Sequence, residues 1–110
     1  MTTANKALSA LGMAMRAGKL VTGDETVLKA VRQGKAHLVI VAGDASENTK
    51  KKFRDKCDSY GVTMMEAFDR ETIGNAIGKA ERVLIAVTDH GFASMIRKHL
   101  SHLTEVENIE

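Results

Sequence analysis

Cysteine occurs once in the 110 residues of this chain, tryptophan not at all, tyrosine once and phenylalanine three times. The lone Cys57 cannot close an internal disulfide, and small secreted domains usually carry an even set, so a stapled scaffold is excluded and a reducing compartment is expected. So few rings also exclude the interleaved aromatics on which single-stranded bases stack. No apolar stretch approaches the ~18 residues of a membrane span, and the opening Met-Thr-Thr-Ala-Asn-Lys lacks the charged-then-apolar layout of a secretion signal. The expectation is a cytoplasmic protein with no membrane partner.

What is present suits one ordinary domain. A chain of this length buries about two thirds of the surface its unfolded form exposes and needs no metal or disulfide to fold. The domain is expected over residues 1–104, followed at 105–110 by an acidic tail with Glu105, Glu107 and Glu110. The net charge of +2 is too mild to name a partner, but its distribution is uneven. Residues 1–37 carry six basic and two acidic side chains, whereas the remainder carries ten basic and twelve acidic ones. A second basic knot, Lys50, Lys51, Lys52, Arg54 and Lys56, reads either as a solvated helix face or as a docking face.

Two segments set the architecture. Leu38-Val39-Ile40-Val41-Ala42 and Val83-Leu84-Ile85-Ala86-Val87 are unbroken, β-branched-rich runs, the pattern of strands buried on both faces. A sheet covered on both sides needs helices on both sides, which makes the layout an α/β sandwich. Helical spacing predicts a first helix over residues 4–17, stopped by Gly18, then a short strand at Leu20 and Val21. Thr22 and Glu25 have capping-box spacing, so a second helix is expected from Gly23 to Gly34. Asp44 and Glu47 repeat that spacing ahead of a third helix at 46–59, and a weaker strand follows at 62–65. Asp69 is expected to cap a short helix with Ile73 and Ile77, and Asp89 or Thr88 a last helix over 91–103.

Catalytic chemistry does not assemble from the titratable groups. Cys57 falls four residues from Phe53 on an apolar face, the place of an inert thiol. His99 and His102 have no third ligand at a recognisable spacing, and His90 has no visible partner. Gly74-x-x-x-Gly78 does not follow a strong strand and so is no phosphate loop, although small residues at that spacing let helices approach. The binding signal is stronger: Gly18 to Gly23 leads a basic segment onto a helix start, where free N–H groups favour an anion, and Lys29, Arg32 and Lys35 follow at near-neighbour spacing.

The stretch Gly23-Asp24-Glu25-Thr26-Val27-Leu28-Lys29-Ala30-Val31-Arg32-Gln33-Gly34-Lys35-Ala36-His37, continuing through Leu38–Ala42 to Gly43-Asp44, resembles the signature of the L-seven-Ae family of kink-turn RNA-binding ribosomal proteins. Ile73-Gly74-Asn75-Ala76-Ile77-Gly78 is similar to a second signature, and Val83–Val87 with Thr88-Asp89-His90-Gly91 to a third. The likeness extends over the whole chain and is strongest to the bacterial YlxQ branch. It implies a three-layer αβα sandwich around a mixed, four-stranded sheet, and a monomer that is no enzyme and uses no cofactor or metal. The implied partner is structured RNA of the kink-turn type, in the ribosome or in another transcript. Such proteins grip tandem sheared G·A pairs with an Asn-Glu-x-x-Lys motif at the start of the second helix, and pack the loop before the last helix on an extruded base. Here Gly23 matches the motif's glycine, Glu25 stands where the family has Asn, Thr26 where it has Glu, and Lys29 where it has Lys. The resemblance and the basic segment together select Lys19, Gly23, Asp24, Glu25, Thr26, Lys29, Arg32, Thr88, Asp89, His90 and Gly91 as the RNA-binding residues. Glu25 has two readings, an RNA contact or the far half of a capping box, and Lys29 is read as a phosphate or guanine contact. The alternative function is a protein-interaction module of the same fold that uses the basic third helix.

Overall fold

The unbroken apolar runs become the central strands of the sheet. In the computed structural model, which describes the backbone of residues 2–109 and the side chains of residues 2–103, β2 (Leu38–Val41) and β4 (Leu84–Val87) pair antiparallel and are buried along their whole length. On the other edge of β4 lies antiparallel β1 (Leu20–Thr22), and on the other edge of β2 lies parallel β3 (Met64–Glu66). The mixed, four-stranded sheet therefore has the order β1-β4-β2-β3. Burial on both faces is why the two central runs do not alternate.

The strand period of two sorts these side chains between two cores. Leu38, Ile40, Ile85 and Val87 face Ala7, Leu11 and Ala14 of α1 (Thr3–Arg16), Ile73 of α4 (Arg70–Ala76), and Ala93, Ile96 and Leu100 of α5 (His90–Ile109). Val39, Val41, Leu84 and Ala86 face the other way, onto Val27 and Val31 of α2 (Asp24–Arg32) and Phe53 and Cys57 of α3 (Glu47–Tyr60). The result is the three-layer αβα sandwich that the resemblance implies. Phe53 is fully buried and contributes about 1.5–3 kcal/mol to the second core. Burial, helped by the Asp58 charge, pushes the Cys57 thiol up to about 11, which leaves almost no thiolate at neutral pH.

Local spacing places most helix starts but misassigns the cap of α3. Ser46, not Asp44, caps α3: its Oγ accepts the Thr49 N–H at 3.1 Å. Asp44 is drawn away by Arg70, whose backbone N–H and Nε–H donate to its two carboxylate oxygens at 3.0 and 3.2 Å. Asp69 caps α4 by accepting the Thr72 N–H at 2.7 Å, and that bond holds its carboxyl below the usual carboxylate range. Asp89 caps α5 through the Phe92 N–H at 2.9 Å. Helix α2 stops at Arg32 because Gly34 already takes a left-handed φ of 72°. Strand β3 starts at Met64 because the Val62 N–H is spent on the Cys57 carbonyl in closing α3. The last helix was expected to end at Leu103 and instead continues to Ile109, since residues 104–109 contain neither Gly nor Pro. The side chains of the expected acidic tail lie outside the described residues. Among the described residues no helix is long and apolar enough to cross a membrane.

The glycines at 74 and 78 serve the loop after α4 rather than a second helix. A Cβ on Gly74 would run into the Ala80 carbonyl group. Helix propensity alone makes Gly74→Ala stabilising by up to ~1 kcal/mol, whereas overpacking against backbone costs about 1–3 kcal/mol. The expected outcome is a lower urea midpoint; a raised midpoint would mean that the loop sits farther from α4 than described here.

Candidate functional site

Between the end of β1 and the start of α2 stands Gly23 at φ 94°, a backbone conformation that glycine enters without strain. The expected capping box of Thr22 and Glu25 does not form, because Gly23 takes the N-cap position and no side chain caps the helix. Thr22 still belongs to the strand, and its Oγ1 accepts the Arg82 Nε–H at 3.3 Å. Among the described residues Glu25 has no hydrogen bond or ion pair, and Asp24, Glu25, Thr26 and Lys29 are all exposed. Glu25, Lys29 and Arg32, at helical spacing, share one outward stripe of α2, while Val27 and Val31 lie on the buried side.

Arg82 also builds the wall beside this helix start. Its Nη1 donates to the Ala80 and Glu81 carbonyls at 3.3 and 2.9 Å, and its backbone N–H donates to the Arg70 carbonyl at 3.0 Å. These bonds shape the loop of residues 78–83, which Gly78 opens at φ 72°. The Gly23 N–H donates to the Leu84 carbonyl at 3.1 Å, so the loop and the α2 start form one rim. Lys79, Ala80 and Glu81 are exposed on it. Sequence reasoning missed this loop, although Gly78, Lys79 and Arg82 immediately before the Val83–Val87 run were the available signal.

The expected loop Thr88–Gly91 lies elsewhere. From Leu84 to Val87 the strand advances about 10 Å, at ~3.3 Å per residue, and Thr88 leaves it at the far end. There the Thr88 N–H donates to the Lys19 carbonyl at 2.9 Å and the His37 N–H to the Val87 carbonyl at 2.8 Å. The residues selected from sequence therefore divide between two rims. Gly23, Asp24, Glu25, Thr26 and Lys29 share the first, Lys19, Thr88, Asp89, His90 and Gly91 the second, and Arg32 ends the α2 stripe toward the second. The division follows from the antiparallel pairing of β1 with β4, which sets the exit of β1 beside the entry of β4.

The basic knot on α3 is partly neutralised within the fold. Lys50 Nζ donates to Glu66 Oε1 at 3.0 Å and lies 3.7 Å from Glu47, and the bond to Glu66 chiefly pushes its pKa upward. Lys52 rests 5.6 Å from the centre of the Phe53 ring. Among the described residues no three of His, Cys, Asp and Glu gather where they could hold a metal ion. His99 and His102 share their cleft with Lys6 and Lys98, whose charge opposes a cation there.

The absent capping box fixes an outcome for Glu25. Glu25→Asn is expected to leave the unfolding free energy within ~0.5 kcal/mol of wild type, the range of a featureless surface change. Arg82→Ala, which removes one half-buried and two exposed side-chain hydrogen bonds, is expected to cost about 1 kcal/mol in the same urea titration. A loss of ~1 kcal/mol or more for Glu25→Asn would restore the capping box.

Residues 5–97 match the model of the ribosomal protein L7Ae/L30e/S12e/Gadd45 family. The RNA-binding protein YlxQ of Bacillus subtilis is 46% identical over 86 residues, which cover 78% of this chain and 86% of that protein. Large ribosomal subunit protein eL30 of Branchiostoma belcheri is 36% identical over 95 residues, covering 81% of this chain and 80% of its own. A solved Bacillus halodurans structure, of a protein of unknown function, is 47% identical with a TM-score of 0.86 and covers 87% of this chain and 97% of its own. On this agreement of sequence and architecture, the chain belongs to the ribosomal protein L7Ae/L30e/S12e/Gadd45 family.

Proposed function

We propose that this protein binds a sharply bent, kink-turn-type RNA, without catalysis, and reads it with the rim formed by the α2 start and the loop 78–83. The observation that carries the reading is Arg82, which ties that loop to Thr22 and sets exposed Lys79 and Ala80 beside the uncapped first turn of α2. An uncapped helix start offers backbone N–H donors, and the acids in its first turn, Asp24 and Glu25, turn phosphate away and accept from base amino and imino groups. Lys29, one turn on along the Glu25 stripe, is placed to donate to a guanine edge. The role that the resemblance gave to the loop before the last helix, packing on an extruded base, passes to the loop 78–83. Membership in a family that includes an RNA-binding protein and a ribosomal protein supports RNA as the partner, within the ribosome or another cytoplasmic ribonucleoprotein. The interaction-module reading loses ground with Lys50, which is already paired to Glu66.

Fluorescence anisotropy with a labelled stem carrying tandem G·A pairs, and with a plain duplex of equal length, tests this. Lys29→Ala is expected to weaken stem binding by ~1–3 kcal/mol and to narrow the gap between the two RNAs. Lys51→Ala, exposed on α3, is expected to change neither. Equal loss on both RNAs, with a salt dependence shallower by about one ion, would reduce Lys29 to a phosphate contact. A larger loss for Lys51→Ala than for Lys29→Ala would move the binding face to α3.

A further inference from the structure

We propose that the opposite end of the sheet is a second RNA face, one that takes backbone phosphate rather than base edges; this rests on the RNA-binding reading above. Three turns converge there. The turn from α1 to β1 is joined to the turn from β4 to α5 by the Thr88 N–H on the Lys19 carbonyl, at 2.9 Å. The turn from α2 to β2 is joined to the end of β4 by the His37 N–H on the Val87 carbonyl, at 2.8 Å. These bonds bring His37 and His90 edge to face, with ring centres 5.8 Å apart, above a cleft of about 120 Å³ that Ser94 and Arg97 also line.

The size of that cleft selects its occupant. Small-molecule sites run to ~300–1,000 Å³, and a cleft of about 120 Å³ has room for a phosphate group but not for a nucleotide. Its polar lining is made of donors: a guanidinium, a hydroxyl and two imidazoles, each with at least one N–H. Arg97 presents a planar fork suited to phosphate oxygens. Among residues 17–19, 33–37 and 88–97 the only acid is Asp89, and its carboxylate is turned onto the Phe92 N–H at 2.9 Å. The first turn of α5 carries no acid, in contrast to Asp24 and Glu25 on α2. One end of the molecule thus mixes acceptors and donors beside its helix start, whereas the other presents mainly donors and positive charge.

The outward stripe of α2 connects the two ends. From Asp24 to Arg32 the helix rises about 12 Å, at ~1.5 Å per residue, with Lys29 and Arg32 exposed along it. A duplex flanking the bent motif and lying along α2 reaches the second rim, where Lys19, Lys35 and Arg97 are exposed as well.

The test pairs His90→Gln with Arg97→Gln in one variant and compares three labelled RNAs by anisotropy over a range of salt. They are a short stem with tandem G·A pairs, the same stem lengthened by one turn of plain duplex, and the plain duplex alone. The variant is expected to bind the short stem as wild type does, and to lose about tenfold on the long stem and the plain duplex, with a salt slope shallower by about one phosphate contact. Lys19→Ala is expected to act in the same direction. Unchanged affinity for all three RNAs, or an equal loss on the short and long stems, would overturn the second face. Displacement of the plain duplex by a polyglutamate peptide as readily as by unlabelled RNA would assign the face to an acidic protein and overturn it equally. Should wild type fail to prefer the G·A stem while the double variant still loses the plain duplex, the kink-turn reading falls and the phosphate face stands.

Discussion

Strand β4 is hydrogen-bonded along both edges, antiparallel to β1 on one side and to β2 on the other, and all of its residues are buried. The α2 start and the turns at the opposite end of the sheet take their positions from the two ends of that strand. At its entry the Leu84 carbonyl holds Gly23 and the Val83 carbonyl holds Ala42. At its exit the Val87 carbonyl holds His37 and the Thr88 N–H is held by Lys19. The helices packed on the sheet cannot slide along it without breaking these bonds at the margins of the two apolar cores. Both rims are thereby tied to the same strand.

The first rim offers groups of both signs, the second mainly donors. A helix start that lacks a side-chain cap but carries Asp24 and Glu25 presents N–H donors and carboxylate acceptors together, the combination needed to meet base edges. The start of α5 has its one nearby acid folded onto the backbone and is surrounded by Lys19, His37, His90 and Arg97. Phosphate contacts position a protein on RNA and base contacts specify the site, and the proposed RNA binding divides between the rims on that basis. On α3 one charge of the basic knot is drawn inward, Lys50 bound to Glu66 at the end of β3, while Lys51, Lys52 and Arg54 stay exposed.

The layered architecture was legible in the sequence because β2 and β4 are buried on both faces, which leaves unbroken Val, Ile and Leu runs that no surface segment would keep. The caps at Asp69 and Asp89 were legible for a local reason: each acceptor bonds an N–H three residues ahead and nothing distant competes. Thr22 and Asp44 failed as caps because their partners, Arg82 and Arg70, lie 60 and 26 residues away along the chain, a competition that local spacing cannot register. The residues of the α2 start were found through a recognisable motif. The loop Thr88–Gly91 was grouped with them, and the structure sets it at the opposite end of β4, because motif order along the chain does not reveal which end of β4 meets α2. That information resides in strand direction, and only the antiparallel register of β1 on β4, Thr22 opposite Ile85, supplies it.

The central claim is that the α2 start and the loop 78–83 form one RNA-reading surface. Backbone amide mapping by nitrogen-15 NMR, with a stem carrying tandem G·A pairs added to the intact protein, tests it most directly. The largest shifts are expected at Gly23, Asp24, Glu25 and Thr26 together with Lys79, Ala80, Glu81 and Arg82, and small ones along α3. Shifts confined to Glu47–Tyr60, or at the α2 start with none in the loop 78–83, would contradict it.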